Sequence, residues 1–223
     1  SACAFLGDGM SRAESLEPAI HGRGREYSQS NLAEAHFGVH SNMLLARGIG
    51  VPGAQWTGVT TAIALAWLDR GEVDAVVVAG SSGGAFGGPK PILCRTADEV
   101  LQGRRVKPSL CPSLEVLDEV KADDHIKRLL FCGVGCAVQA LRAMNKGDPE
   151  GALGLEEGGL WVLGTHCVDN SPTPDAARRF VGSIPGIGEE RAEDVLAYEF
   201  MADFRVHARL RPEGSSGGSG GEG

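Results

Sequence analysis

The chain has 223 residues, of which 42% are hydrophobic and 22% charged, a composition typical of a soluble globular protein with one sizeable core. Its formal net charge of -8 and pI near 5.3 argue against a nucleic-acid-binding surface, which needs clustered basic residues. No apolar run approaches the roughly 20 residues that span a bilayer, so an integral membrane protein is not expected.

Apolar periodicity predicts alternating helices and strands after about fifty glycine-, histidine- and arginine-rich residues, which predict an irregular N-terminal wrap. The predicted elements are a helix over 59–70, a strand over 74–79, a glycine-rich loop over 80–89, a capped helix over 96–103, a helix around 114–120, a strand over 127–131, a helix over 136–145, a loop over 147–159, a strand over 160–164, a helix over 174–181, and an antiparallel pair over 195–200 and 204–210. They indicate an α/β fold: an open, mostly parallel sheet flanked by helices, with an incomplete C-terminal β layer.

Two cysteine-bearing segments follow predicted strands. Cys132-Gly133-Val134-Gly135-Cys136 follows one strand, and Cys167 follows another. Cofactors of open α/β sheets bind at the carboxyl ends of the strands, so Cys132, Cys136 and Cys167 are predicted to lie at one edge. Glycine lets a bound group approach the backbone closely, and a thiolate near a helix N-terminus has a lowered pKa, which suits metal ligation or redox chemistry.

Disulfides and other known cofactor motifs explain the cysteines less well, and two of the cysteines are expected to be ordinary core residues. Six cysteines are too few for a disulfide scaffold, and their positions favour a reducing compartment. Their spacing fits neither a Walker loop, nor the G-x-G-x-x-G fingerprint, nor a zinc ribbon. For Cys94 and Cys111 ordinary core packing is the favoured interpretation, since cysteine is among the most buried residue types.

Two further segments could bind phosphate. Gln55-Trp56-Thr57-Gly58-Val59-Thr60-Thr61 begins a helix, where free N–H groups and hydroxyls suit an anion, although N-capping by threonine is the favoured alternative. Lys107-Pro108-Ser109 follows Arg104 and Arg105 and offers charge and a hydroxyl to a pyrophosphate, with a solvated basic loop as an equal alternative. No Ser-His-Asp or Cys-His set is recognisable, so hydrolysis has little support.

Sequence blocks from residue 1 to about 210 resemble the 7-hydroxymethyl chlorophyll a reductases and, more widely, the deazaflavin-dependent hydrogenase/dehydrogenase beta subunits. The blocks are Ala2-Cys3-Ala4-Phe5, His21-Gly22-Arg23-Gly24-Arg25, Phe37-Gly38-Val39-His40, Gly53-Ala54-Gln55-Trp56-Thr57-Gly58, Lys107-Pro108-Ser109, Arg128-Leu129-Leu130-Phe131-Cys132-Gly133-Val134-Gly135-Cys136, Val162-Leu163-Gly164-Thr165, Cys167-Val168-Asp169-Asn170 and Tyr198-Glu199-Phe200-Met201. The wider family also contains divinyl chlorophyllide 8-vinyl reductases.

The resemblance implies an oxidoreductase with FAD and two [4Fe-4S] iron-sulfur clusters, which takes electrons from reduced ferredoxin and converts 7-hydroxymethyl chlorophyll a to chlorophyll a in the chloroplast. Flavin and clusters would do the electron chemistry while the protein orients and tunes them. Reduction of the 8-vinyl group of divinyl chlorophyllide is one alternative, and a flavin-binding or interaction module without turnover is another. Peripheral thylakoid contact and a homo-oligomer stay open, and no nucleic-acid partner is expected.

The resemblance also implies site residues, although it assigns no catalytic residue. The cofactor-binding candidates are Gln55, Thr57, Gly58, Thr60, Lys107, Ser109, Gly133, Val134 and Gly135, and the metal-ligand candidates are Cys3, Cys136 and Cys167. Residues 1–50 would then be part of an iron-sulfur-associated extension, 51–211 a flavin-binding domain, and 212–223 a flexible tail. The family's upstream cysteine run and downstream Cys-x-x-Cys segment do not occur in the sequence, so we expect a fragment of a longer reductase.

Overall fold

The computed structural model describes residues 15–54, 57–81, 86, 88–105, 107, 109–167, 173–200 and 205–212. The helices are α1 (Glu17–His21), α2 (Leu32–Phe37), α3 (Val59–Asp69), α4 (Ala97–Gln102), α5 (Leu117–Ala122), α6 (Gly135–Arg142), α7 (Pro149–Leu153) and α8 (Pro174–Gly182), with 3-10 turns at Met144–Gly147 and Glu189–Asp194. The strands are β1 (Ala75–Ser81), β2 (Pro89–Cys94), β3 (Leu129–Val134), β4 (Leu160–Thr165), β5 (Val195–Phe200) and β6 (Val206–Leu210). Within these residues no helix is both long and apolar enough to cross a membrane.

A four-stranded sheet with the order β2-β1-β3-β4 forms the centre of the fold. Strands β1, β3 and β4 are parallel, while β2 is antiparallel to β1, which confirms the predicted open, mostly parallel sheet. Strands β5 and β6 form the predicted antiparallel pair, which is a separate two-stranded sheet.

Two segments without a predicted helix or strand contain regular structure: β2, which begins where the predicted loop over 80–89 ends, and α7. Strand β2 was missed because Pro89 and Pro91 disfavour a strand, yet an edge position tolerates proline since its outer side needs no backbone donor. Helix α7 lies in the predicted loop at 147–159. Its N-terminal signals are present: Asp148 accepts a hydrogen bond from the Gly151 N–H at 2.9 Å, and Pro149 occupies the first turn.

Helices cover both faces of the sheet, because each buried strand presents apolar side chains in both directions. One face packs against α3 and α4, and its buried residues are Ala64, Val73, Val76, Val78, Cys94, Val100, Leu130 and Cys132. The other packs against α5, α6 and α7, and its buried residues include Ala75, Val77, Leu117, Val120, Leu129, Phe131, Leu141 and Leu153. A smaller cluster joins α8 to the β5-β6 pair through Val181, Ile187, Ala192 and Val195.

The direction of α3 follows from one aromatic contact. Trp67, near the C-terminal end of α3, lies edge-on to Trp161 at the start of β4, with ring centroids 5.1 Å apart. Helix α3 therefore runs antiparallel to the parallel strands. Its N-terminus, at Gly58, lies toward the edge where those strands end.

Ion pairs of a buried and a partly buried carboxylate hold the described part of the N-terminal wrap, residues 15–50. The Glu34 carboxylate is 4% exposed and accepts hydrogen bonds from both terminal nitrogens of Arg23, from the Glu26 N–H at 2.8 Å and from Asn31 Nδ2 at 3.0 Å. The bonds from Arg23, followed by that from the Glu26 backbone, lower the pKa of Glu34 to about 2. Arg23 thus has a structural partner, as does Arg25, which pairs with Glu17.

Candidate functional site

The carboxyl ends of β3 and β4 lie side by side. Val134 pairs in register with Thr165, and the Thr165 hydroxyl donates to the Gly133 carbonyl at 3.2 Å. Cys136 follows Val134 by two residues and Cys167 follows Thr165 by two, and both are partly buried. The structure therefore brings these two predicted ligands to the same edge of the sheet. Cys3 lies outside the described residues, and so does Gln55.

Cys132 does not belong to this edge. The sequence predicted a turn over 132–136, but β3 continues to Val134 and α6 begins at Gly135, so Cys132 lies within the strand. Its side chain is buried in the cluster that also contains Cys94, and burial, followed by the Cys94 charge, raises the pKa of Cys132 to about 12. The prediction that Cys132 lies at this edge as a thiolate of lowered pKa is therefore wrong. Cys94 is fully buried, as its core interpretation predicted, and Cys111 is partly buried.

The two glycines of this segment have different surroundings. A Cβ atom on Gly133 would lie 2.6 Å from Cε1 of Phe131, so the packing of the core requires a glycine at this position. Gly135 is exposed at the start of α6, and a Cβ atom there would have no neighbour within 4 Å. Gly135 therefore leaves open space beside the helix N-terminus, where backbone N–H groups are available to an anion.

Exchanging each glycine for alanine separates packing from ligand approach. We expect Gly133→Ala to lower the free energy of unfolding by about 1–3 kcal/mol, because the added methyl overfills the space above Phe131. Gly135→Ala should unfold like the wild type but bind flavin more weakly. Urea unfolding and flavin titration of both variants measure this, and a Gly133→Ala chain as stable as the wild type would contradict the packing argument.

The start of α3 is shaped by a left-handed glycine. Gly58 is the N-cap residue at φ 68°, and no side chain caps the helix, so the favoured prediction of a threonine cap is wrong. The chain before it is packed closely: the Gly48 N–H donates to the Thr57 carbonyl at 2.7 Å, and a Cβ on Gly48 would lie 2.6 Å from the Gly58 oxygen. Thr57 is exposed and Thr60 partly buried beside this uncapped terminus.

The basic segment after α4 is tied to the segment before α3. Arg104 Nη1 donates to the Pro52 carbonyl at 2.6 Å, and Arg105 Nε donates to the Gly53 carbonyl at 3.3 Å. Lys107 Nζ in turn donates to the carbonyls of Arg104 and Arg105, at 2.6 and 3.1 Å. The bonds from Arg104 and Arg105 tie the residues before Lys107 to Pro52 and Gly53, which precede Gly58. The bonds of Lys107 contradict a freely solvated loop at this residue.

Burial and like charge act together on Lys107. Burial first, then the charges of Arg105 and Arg104, lower the pKa of Lys107 to about 8. Ser109 is 1% exposed, and its hydroxyl has no hydrogen-bond partner among the described residues. An unpaired buried hydroxyl costs free energy, so Ser109 fits a site that a polar ligand completes.

The lowered pKa of Lys107 predicts the pH dependence of stability. Between about pH 8 and 10.5 the unfolded chain binds more protons at this residue than the folded chain does, so folding becomes more favourable as pH rises. Relative to Lys107→Met, the wild type should therefore gain stability over this range in urea unfolding. Lys121→Met removes an exposed lysine from α5 and is the control. A constant difference between wild type and Lys107→Met across the range would contradict the prediction.

Several described residues could hold a phosphate group, and none of them forms a complete set of iron-sulfur ligands. Ser109, whose hydroxyl has no partner among the described residues, the cationic segment and open Gly135 each suit a phosphate group. A cubane cluster needs four thiolates, and within the described part of the chain no group of three or more His, Cys, Asp or Glu side chains could hold a metal. Cys136 and Cys167 alone do not make a cluster site.

Sequence reasoning missed the structural role of two arginines. Arg104 and Arg105 were noted only as nearby charge, but they connect residues about fifty positions apart. No local pattern indicates these hydrogen bonds, because they depend on the tertiary arrangement.

Comparison with known proteins places these segments in a family. The family model for the N-terminal part of coenzyme F420 hydrogenase/dehydrogenase beta subunits matches residues 47–118, which contain both the Gly58 and Lys107 segments. Coenzyme F420 hydrogenase subunit beta of Methanosarcina barkeri is 28% identical over 143 residues, 59% of this chain and 47% of that protein. Over these segments the chain is similar to the coenzyme F420 hydrogenase/dehydrogenase beta subunits.

A more similar relative is 7-hydroxymethyl chlorophyll a reductase, chloroplastic, from Oryza sativa subsp. japonica. It is 49% identical over 210 residues, which are 94% of this chain and 41% of that protein. The chain thus spans less than half the length of this relative.

The fold agrees with the family. A chain in the structure of the F420-reducing [NiFe] hydrogenase complex from Methanosarcina barkeri superimposes with a TM-score of 0.56 at 20% identity, over 74% of this chain and 58% of that chain. At this identity the likeness supports the fold alone.

Proposed function

We propose that this chain is the flavin-binding part of an FAD-dependent oxidoreductase of chlorophyll metabolism, which takes electrons from reduced ferredoxin and converts 7-hydroxymethyl chlorophyll a to chlorophyll a in the chloroplast. The observation that supports this most strongly is the identity of 49%, over 94% of the chain, with 7-hydroxymethyl chlorophyll a reductase, chloroplastic, of Oryza sativa subsp. japonica. The arrangement of the Gly58, Lys107 and Gly135 segments is consistent with it.

The proposed cofactor site has three parts. The uncapped N-terminus of α3 presents backbone N–H groups beside Thr57, Gly58 and Thr60. Lys107 and Ser109 offer a cation and a buried hydroxyl. Gly133, Val134 and Gly135 end β3 and begin α6, where Gly135 leaves room for close approach. When bound, the flavin would supply the electron transfer that no amino-acid side chain provides.

The chain's own residues would orient the cofactor rather than react. The hydrogen bonds from Arg104 and Arg105 to the carbonyls of Pro52 and Gly53 would hold the segment that leads to Gly58. Cys136 and Cys167 at the neighbouring edge would be two ligands of an iron-sulfur cluster whose remaining ligands come from other parts of the full-length protein. We propose Cys3 as a ligand of the other cluster.

The complete gene product, purified and reconstituted anaerobically, tests this proposal. With reduced ferredoxin it should convert 7-hydroxymethyl chlorophyll a, and its spectrum should contain flavin and iron-sulfur absorbance. Divinyl chlorophyllide is the competing substrate, and its exclusive reduction would move the assignment to the 8-vinyl reductases. A protein that holds neither flavin nor iron and sulfide would contradict the proposal.

A flavin-binding module without turnover is the second candidate. Its support is that the described residues bring two thiols to the sheet edge and no larger set of metal ligands. The 223-residue chain would then bind FAD but would not accept electrons from ferredoxin. If the complete gene product also binds FAD and stays inactive with both pigments, this candidate is favoured.

A further inference from the structure

The two lateral edges of the central sheet, which run along its outermost strands, differ in their protection against further pairing. Strand β2 forms one edge and contains Pro89, Lys90 and Pro91. Proline lacks the backbone donor that a neighbouring strand would use, and a charged lysine opposes association. Strand β4 forms the other edge, and its residues, Leu160–Thr165, include neither a proline nor a charged side chain. The lateral edge at β4 is therefore unprotected by its own sequence.

The register of β3 and β4 determines which backbone groups of β4 point away from the sheet. Leu129 pairs with Leu160, and the Leu129 N–H donates to the Gly159 carbonyl at 2.7 Å. In a parallel pair, alternate residues of a strand direct both the N–H and the C=O toward the neighbouring strand, and the residues between them direct both groups away. Since Gly159 bonds to β3, the odd-numbered residues of β4 bond toward β3 and the even-numbered residues direct their N–H and C=O groups outward.

Val162 and Gly164 are two of these even-numbered residues. Their N–H and C=O groups have no hydrogen-bond partner in the part of the chain that the structure describes. Gly164 is exposed and Val162 is half-buried. Beside them Trp161 remains 49% exposed, although its ring packs against Trp67. The lateral edge at β4 thus combines outward backbone groups with accessible apolar surface.

We propose that β4 is an internal strand of the complete protein, and that its lateral edge pairs with one further strand from outside these 223 residues. The matched residues make up 41% of the Oryza sativa relative, so that protein contains ample additional chain. An uncovered, uncharged strand edge pairs with other extended chains, and native proteins therefore cover it. The inference rests on the longer reductase of the proposed function, but it does not depend on the cofactor or the substrate.

The half-buried side chains of β4 define the kind of segment that fits. Leu163 packs against the apolar cluster beneath α3 and α4, and Val162 packs against the cluster on the opposite face of the sheet. A strand added beside them lies between the same two layers, and strands buried on both faces are continuous apolar runs. The added segment is therefore a strand of about five or six predominantly apolar residues.

Hydrogen exchange of individual backbone amides, measured by mass spectrometry with electron-transfer fragmentation, tests this pairing. In the complete gene product the amides of Val162 and Gly164 should exchange about a hundredfold more slowly than in the 223-residue chain. The amides of Trp161 and Leu163 bond to β3 and are the internal control, because they should be protected in both proteins. Dilution of the complete protein should leave the protection of Val162 and Gly164 unchanged.

Two proline variants form a matched pair for the same test. Val162→Pro removes an outward N–H, whereas Leu163→Pro removes an N–H that bonds to β3. We expect Val162→Pro to lower the melting temperature of the complete protein more than that of the 223-residue chain, and Leu163→Pro to lower both. Within the complete protein, Val162→Pro should also return the Gly164 amide to fast exchange, a comparison that does not require the shorter chain.

Three results would overturn the inference. Fast exchange at Val162 and Gly164 in the complete protein would mean that the lateral edge stays open. Protection that is lost on dilution would assign the edge to a second copy of the chain. Protection already present in the 223-residue chain, at every concentration, would assign it to another part of this chain. None of these results bears on flavin binding or pigment reduction, so failure of the strand pairing and failure of the proposed function are distinguished.

Discussion

Phe131→Ala is expected to lower the free energy of unfolding by about 3–5 kcal/mol, a large share of the roughly 5–15 kcal/mol that stabilises a typical domain. Phe131 is fully buried at the centre of β3, within the apolar cluster beneath α5, α6 and α7. It also supports Gly133, which is the next residue on the same face of the strand. The loss should therefore disorder the edge where β3 meets α6.

Urea unfolding measures the Phe131→Ala effect. Leu45→Ala is the control, because Leu45 is fully exposed and its removal should change stability by less than about 0.5 kcal/mol. Equal losses in the two variants would contradict the assignment of the core. A Phe131→Ala chain that still folds should bind flavin more weakly than the Leu45→Ala chain.

Gly58→Val is expected to abolish most flavin binding, with a loss of affinity on the order of a hundredfold. Gly58 has a φ of 68°, which a β-branched side chain adopts only at a cost of about 1–3 kcal/mol. Its Cβ atom would also lie 3.1 Å from Ala54 Cβ. The segment would have to move away from the N-terminus of α3, where the proposed cofactor binds.

Gly50→Val is the matched control for Gly58→Val. Gly50 has a similar φ of 75°, but no atom lies within 4 Å of the position its Cβ would take. Both variants should lose stability through backbone strain, and only Gly58→Val should lose flavin affinity. Flavin binding that falls equally in both would mean that strain alone, and no local site, explains the effect.

Local patterns predicted most of the central sheet and its helices. The capping box at Thr96 forms as expected, with the Glu99 N–H bonded to the Thr96 hydroxyl at 3.3 Å and the Glu99 carboxylate accepting from the Thr96 N–H at 3.0 Å. The strands at 127–131 and 160–164 were found because fully buried parallel strands are continuous apolar runs. Strand β2 was missed since its prolines carry the signal of a turn.

The site was predictable only in part. Cys136 and Cys167 each follow a strand, and the carboxyl ends of parallel strands lie at the same edge of a sheet, so their positions could be predicted from the sequence. The sequence wrongly placed Cys132 in a turn, because Gly133 and Gly135 follow it. Gly133 in fact continues strand β3, and the absence of a side chain there leaves room for the Phe131 ring. The hydrogen bonds from Arg104 and Arg105 to the carbonyls of Pro52 and Gly53 join residues about fifty positions apart, and no local pattern predicts them.

The most direct test of the flavin assignment is the visible absorption spectrum of the 223-residue chain after equilibration with FAD and removal of free flavin by gel filtration. We predict about one FAD retained per chain, with absorbance bands shifted from those of free FAD. Elution of all the flavin apart from a folded chain would contradict the account.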